Sequence, residues 1–199
     1  MDIEKKRQQL ICLYGDYVKI AQPYLASAVC RQGCADCCTT VGSVDITTLE
    51  GLIILRHLKT LNPKIQKDFN KRLKQNRKIK QESRFARCAF LGTDNLCAIY
   101  PLRPFSCRRL YSIRPCGENG PTVHRQAWEA AEQICFAVQQ VDDTGYLGHM
   151  SYILQLLNDP KFLKTYLSGG FSPEEIRTFA MSNSLVINRA VRTRTDVAK

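Results

Sequence analysis

Four cysteines, Cys30, Cys34, Cys37 and Cys38, fall within nine residues of this chain, and two of them are adjacent. Adjacent cysteines rarely pair with each other, because a disulfide needs its Cα atoms about 4.4 to 6.8 Å apart in a particular geometry. Thiolates at this spacing suit a tetrahedral zinc ion or the irons of an iron–sulfur cluster. Burying a lone thiolate is very costly, and a cation removes most of that cost. Gly33 between the first two cysteines can take positive φ and let the chain curl around an ion. The whole chain has ten cysteines in 199 residues. Its first ten residues carry no apolar run after their charges, and no stretch nears about 18 uninterrupted apolar residues. The expected location is therefore the cytoplasm, where thiols stay reduced.

A second group, Cys88, Cys97, Cys107 and Cys116, is separated by eight, nine and eight residues, too wide for a zinc-ribbon knuckle. It lies in a segment, 85 to 122, that is rich in proline and glycine and poor in periodicity, so something must hold it. Within it, Pro101 and Pro104 fix their own φ angles and push Tyr100 and Arg103 toward extended backbone, which stiffens the stretch between Cys97 and Cys107.

The flanking sequence predicts a mainly α fold: a small helical domain with a loop-rich cysteine region stapled by its metal or cluster. Apolar residues at spacings of three and four across 3 to 29 predict one or two helices. Thr47 and Glu50 form a capping box that opens a helix through Leu52, Ile53, Leu55 and Leu58. Pro63 opens another, to about residue 84, with Ile65, Phe69, Leu73 and Ile79 on one side. Helical periodicity returns from Val123 in Trp128, Ala131, Ile134, Cys135 and Val138, then in Tyr152 to Leu157, and Ser172-Pro173-Glu174-Glu175 signals a last helix. The expected organisation is one domain over 1 to 199, with a cysteine module at about 30 to 116, a helical segment before it and a helical subdomain at about 123 to 195. Cys12 and Cys135 fall in helical patterns and read as small core residues. His124 and His149 could stand in as ligands, but read first as ordinary surface or core histidines.

Cys30, Cys34 and Cys37 also fit the C-x3-C-x2-C spacing of radical S-adenosylmethionine enzymes. Scarce strand signals, Asp36 where that family usually has an aromatic, and the surplus Cys38 all speak against that reading. The clustered Cys30, Cys34, Cys37 and Cys38, the string Cys88-Ala-Phe-Leu, and Cys97-x-Ile-Tyr-x-x-Arg-Pro-x-x-Cys107-Arg together resemble the YkgJ-type cysteine-cluster family of zinc- or iron-chelating domains. The resemblance implies a metal site drawn from Cys30, Cys34, Cys37, Cys38, Cys88, Cys97, Cys107 and Cys116. A similar module in flagellin lysine-N-methylases implies an iron–sulfur cluster, of the 4Fe-4S type, over zinc. It also offers a cluster-dependent protein-modifying activity as an alternative, although no glycine-rich strand-to-helix loop supports S-adenosylmethionine binding.

Charge is as localised as sulfur. Residues 56 to 87 hold twelve Lys and Arg against Asp68 and Glu82, a net +10 of the chain's +11. On a helix, Lys64, Lys67, Lys71, Lys74 and Lys78 form one stripe, which suits an acidic protein or a nucleic acid carried beside a structural zinc, or simply a solvated face. Arg84, Arg87, Arg103, Arg108 and Arg109 lie near the thiols in sequence. Together with Tyr100, Arg103 and Arg108 are expected to surround the site and offset the negative charge of metal thiolates.

Overall fold

In the computed structural model, residues 1–40, 44–83, 85–117, 120–170, 178, 181–182 and 189–190 are described. The fold is mainly helical. Helix α1 (Ile3–Leu25) opens on an Asp2 cap and is one continuous helix with Pro23 in its last turn. Then follow α2 (Asp36–Thr40), β1 (Asp45–Thr47), α3 (Thr48–Thr60) and α4 (Pro63–Glu82). After the loop-rich segment come α5 (Phe105–Arg108), α6 (Arg125–Val141), β2 (Tyr146–His149), α7 (Met150–Leu156), α8 (Pro160–Ser168) and β3 (Arg189–Ala190). The segment around Ser172-Pro173-Glu174-Glu175 lies outside the described residues, as does most of the chain beyond 170.

A three-stranded antiparallel sheet, ordered β1-β2-β3, sets the register of the helices. β1 pairs with β2 from Asp45 opposite His149 to Thr47 opposite Leu147. Each of these two strands runs straight into a helix, with Thr47 capping α3 and His149 capping α7, so the two helices leave the sheet side by side. Gly51 permits their close approach: a Cβ there would stand 2.7 Å from Ile153 Cγ2 and 3.0 Å from Leu157 Cδ1. α1 packs along α6, and one apolar core runs from Ile3 and Leu10 through Leu49, Ile54 and Phe90 to Ile153 and Tyr166.

The core departs from the sequence expectation at several positions. α4 buries Phe69, Leu73 and Asn76 in its middle turns, where it meets Phe90 and α7, while Ile65 and Ile79 nearer its ends are exposed. Cys12 is exposed on α1, on the face away from Leu10 and Tyr17, and so is not a core residue. Cys135 is half-buried and packs against the core. Trp128 is partly exposed, with the Arg109 guanidinium 4.5 Å from its ring centre. His124 stacks on Tyr24, with ring centres 4.3 Å apart.

Two buried titratable groups set opposite pH slopes. Asp142 is fully buried, its carboxylate accepting from Leu49 N at 2.7 Å and Tyr166 Oη at 2.6 Å. Burial pushes its pKa up to about 6, against an ordinary 3.8, so its contribution is full below 3.8 and is lost as pH rises through 6. His149 is held neutral by burial, its pKa lowered from 6.5 to about 4, so its contribution is lost as pH falls through the same window. Asn in place of Asp142 removes only the first effect. Between pH 4 and 6, the stability of Asp142→Asn should therefore climb with pH more steeply than that of the wild type. Urea unfolding at both ends of the window measures this, and the comparison cancels groups common to both proteins. Equal slopes would rule out the assignment.

Candidate metal centre

The two cysteine groups, far apart in sequence, are folded onto one basin. Gly33, at φ +83°, turns the first loop back, and Cys34 N donates to Arg31 O at 3.0 Å. Cys37 and Cys38 then sit in the short α2. The second group is built on a tight hairpin: Ala98 N donates to Phe90 O at 2.9 Å, Gly92 N to Leu96 O at 2.8 Å, and Leu91 bridges Cys97, which brings Cys88 and Cys97 together. One backbone bond stitches the groups, from Cys88 N to Cys38 O at 2.8 Å.

The loop-rich segment is fastened by protein groups at both ends. Phe90 packs on Phe69 of α4, ring centres 5.4 Å apart, and Phe105 packs edge-on against Tyr17 of α1 at 5.0 Å. Arg72 Nη1 donates to Leu91 O at 3.0 Å, and Asn76 Nδ2 to Arg87 O at 2.8 Å. Arg77 donates to Ser151 O at 3.1 Å. Three side chains of the basic helix are thereby occupied in structure, two of them counted in its positive charge. The stripe of Lys64, Lys67, Lys71, Lys74 and Lys78 is exposed.

A cavity of about 600 Å³ is lined by Cys30, Cys34, Cys37, Cys38, Cys88, Cys97 and Cys107. Cys116 lies just outside its lining, beside Cys30 and Cys34. Within the basin Cys38 exchanges side-chain hydrogen bonds with Cys37 and Cys88, and Cys107 has Cys38, Cys37 and Cys97 around it. All ten cysteines are free thiols. Burial raises the pKa of Cys30, Cys97, Cys107 and Cys116. Cys37 is raised first by its hydrogen bond to Cys38 and then by burial. For Cys38 the bond with Cys37 lowers the pKa, but the bond with Cys88 and burial outweigh it and lift it to about 11. These thiols hold their protons at neutral pH, and a bound cation must displace them.

The surrounding residues differ in part from those expected. Arg103 faces the thiols: its charge opposes the rise at Cys37, Cys97 and Cys107, its guanidinium lies 3.6 Å from the Tyr100 ring centre, and its buried Nε has no hydrogen-bond partner. Arg108 lies near Cys107 but spends its donors on Arg103 O and Pro101 O, both at 2.7 Å, and so braces the loop. Arg109 pairs with Glu132, and Arg87 donates to Gly92 O. Arg84 lies outside the described residues. His149 does line the cavity, with Nδ1 engaged by Ser151. Spacing could not reveal Leu73, Asn76, Met150 and Ser151 as further lining residues, because they come from the inner faces of α4 and α7.

Among the described residues no three Cys, His, Asp or Glu donors are already set around one point to hold an ion. The donor chemistry nevertheless fits a thiophilic cation: seven thiols and the Arg103 guanidinium share one cavity lining, and no carboxylate competes there. No described helix is long and apolar enough to cross a membrane.

Residues 29–136 match the CxxCxxCC family, described as a "Putative zinc- or iron-chelating domain". Neither the curated proteins nor the solved structures yield a match.

Proposed function

This chain belongs to the CxxCxxCC family of zinc- or iron-chelating domains, and we propose that it holds its metal in the inner part of the basin, as an iron–sulfur cluster on thiolates of Cys37, Cys38, Cys88, Cys97 and Cys107. The observation that carries this reading is the convergence of both cysteine groups on one cavity, with Cys107 enclosed by Cys37, Cys38 and Cys97. Five thiols exceed the four that either a tetrahedral zinc or a four-iron cluster takes, and a cavity of about 600 Å³ leaves room for the bulkier group, which the resemblance to the cysteine module of flagellin lysine-N-methylases favours. When bound, such a group supplies electron transfer at a potential set by the hydrogen bonds and charges around it.

The chain's own residues prepare the site. Arg103, stacked on Tyr100, sets a positive charge within reach of Cys37, Cys97 and Cys107, and Arg108 fixes the loop that carries it. Ten free thiols suit a reducing compartment such as the cytoplasm. The exposed lysine stripe, on the helix whose Leu73 and Asn76 line the basin, supports docking of an acidic protein or nucleic acid next to it. Anaerobic purification with iron, sulfide and zinc analysis tests the reading. Iron and acid-labile sulfide in similar molar amounts, with broad absorption near about 400 nm, are expected. Stoichiometric zinc in colourless protein would replace the cluster by a lone ion, and neither metal above trace would refute metal binding.

A further inference from the structure

The fold sorts the charges of the basic helix α4 into two sets. Arg72 and Arg77 turn to the body of the protein, where they donate to Leu91 O and Ser151 O. Asp68 pairs with Arg72 at 3.1 Å, which neutralises the one carboxylate between Lys64 and Lys78. The other acid of α4, Glu82, lies a turn beyond the last lysine. Lys64, Lys67, Lys71, Lys74 and Lys78 are all exposed, and no carboxylate among the described residues pairs with any of the five. At about 3.6 residues per turn they share one face, half a turn from buried Phe69, Leu73 and Asn76, and run for about 20 Å. Asn70, Gln75 and Gln81, also exposed, border them. Phe69 is the one aromatic of α4 and is buried, and exposed Ile65 and Ile79 lie on the flank that carries Arg72.

We propose that this face of α4 is a docking surface for duplex DNA, held through the phosphate backbone without regard to sequence. It narrows the docking of the proposed function to one partner and does not depend on the metal. Interfaces between proteins are anchored by aromatic, Met and Arg side chains in an apolar centre from which lysine is depleted. This face is the reverse, lysine and amide with no apolar centre. Lysine is a point charge on a flexible stem, which suits a phosphate. A single strand would need exposed aromatic rings for its bases to stack on, and the face has none. A duplex carries one negative charge per about 1.7 Å of axis, so a stripe of about 20 Å meets more phosphates than it has lysines. The major groove of B-form DNA admits a helix, whereas the deep, narrow groove of A-form RNA does not. Each lysine that displaces a counterion contributes about 0.9 to the slope of log affinity against log salt, so five give a slope of about −4.5.

The test is fluorescence anisotropy of a labelled DNA duplex of about 20 base pairs, titrated with the full chain between about 50 and about 200 mM salt. The wild type should lose about 500-fold in affinity across that range. Lys67→Gln/Lys71→Gln/Lys74→Gln should lose only about 12-fold, its slope falling to about −1.8. Glutamine is close to lysine in helix propensity, so circular dichroism and metal content should match the wild type. The control Lys5→Gln/Lys161→Gln/Lys164→Gln removes the same charge from exposed positions on α1 and α8 and should keep the wild-type slope. A control whose slope falls as far as that of the α4 variant would overturn the proposal, because net charge alone would then account for binding. So would a wild type that does not bind the duplex at the lower salt. Tighter binding of duplex RNA of the same length, or of polyglutamate, would overturn it in favour of another polyanion. Metal content is measured on the same samples, so the two readings fail separately: metal-free protein that binds with the expected slope supports the stripe while refuting the metal.

Discussion

Serine in place of Cys107 should leave the purified protein with less than half of the wild type's bound metal and weaken retention against a competing chelator about 100-fold or more. The magnitude follows from structural metal sites, where about 10 to 16 kcal/mol is shared by four ligands. One thiolate then accounts for about 3 kcal/mol, or two powers of ten in affinity. Cys107 is the sharpest position for the test because Cys37, Cys38 and Cys97 all surround it, and because it sits on a helix fixed by buried Phe105. Serine keeps the shape and changes the donor, so the helix should persist and far-ultraviolet circular dichroism should stay at the wild-type level. Cys12→Ser is the control, since Cys12 lies exposed on α1 and lines no part of the cavity. It should retain full metal. A Cys107→Ser protein with wild-type metal content would remove Cys107 from the ligand set, and with it the reason for centring the site on the inner thiols.

Local signals in the sequence carried the helices but not their meeting points. The Thr47–Glu50 box and Pro63 mark the starts of α3 and α4 because capping is a matter of three or four consecutive residues. The strands were invisible because β1 and β2 are three and four residues long, too short for alternation to register, and β2 is buried on both faces. Ile65 and Ile79 keep helical spacing with Phe69 and Leu73, yet nothing in that spacing says which turns of the helix meet a partner. The cysteine groups were legible as a metal constellation, whereas their arrangement was not. The contacts that sort them, Cys88 N to Cys38 O and Ser112 N to Cys30 Sγ, join residues 50 and 82 positions apart. The arginines teach the same lesson. Of those close to the thiols in sequence, Arg103 is the one whose charge opposes the rise at Cys37, Cys97 and Cys107, while Arg87, Arg108 and Arg109 make their hydrogen bonds to carbonyls or to Glu132.

Alanine in place of Glu50 should cost several kcal/mol of stability, the largest loss expected from any single polar change in this chain. The sequence reads Glu50 as half of a capping box, and it is that: Oε2 accepts from Thr47 N at 2.9 Å while Glu50 N donates to Thr47 Oγ1 at 3.2 Å. The same buried carboxylate also accepts, through Oε1, from Tyr14 Oη of α1 at 2.6 Å and from Phe105 N at 2.7 Å. One side chain therefore ties α1, the start of α3 and the first turn of the helix that presents Cys107. Truncation strands three donors in the interior, each costing about 1 to 3 kcal/mol, against a total stability of about 5 to 15 kcal/mol. Tyr14→Phe removes one donor together with its need for an acceptor, so it should cost only about 1 kcal/mol. Glutamine keeps one carbonyl oxygen but turns an N–H₂ toward existing donors, and should fall between the two. Urea unfolding of metal-free protein ranks the three variants. Metal should recover part of the loss in Glu50→Ala, because a ligand that binds only the folded state adds stability in proportion to the logarithm of its concentration. That recovery would require more metal than the wild type needs, since the turn carrying Cys107 is no longer held by its first backbone N–H. A Glu50→Ala protein within about 1 kcal/mol of the wild type would mean that the carboxylate caps α3 and does nothing for the basin.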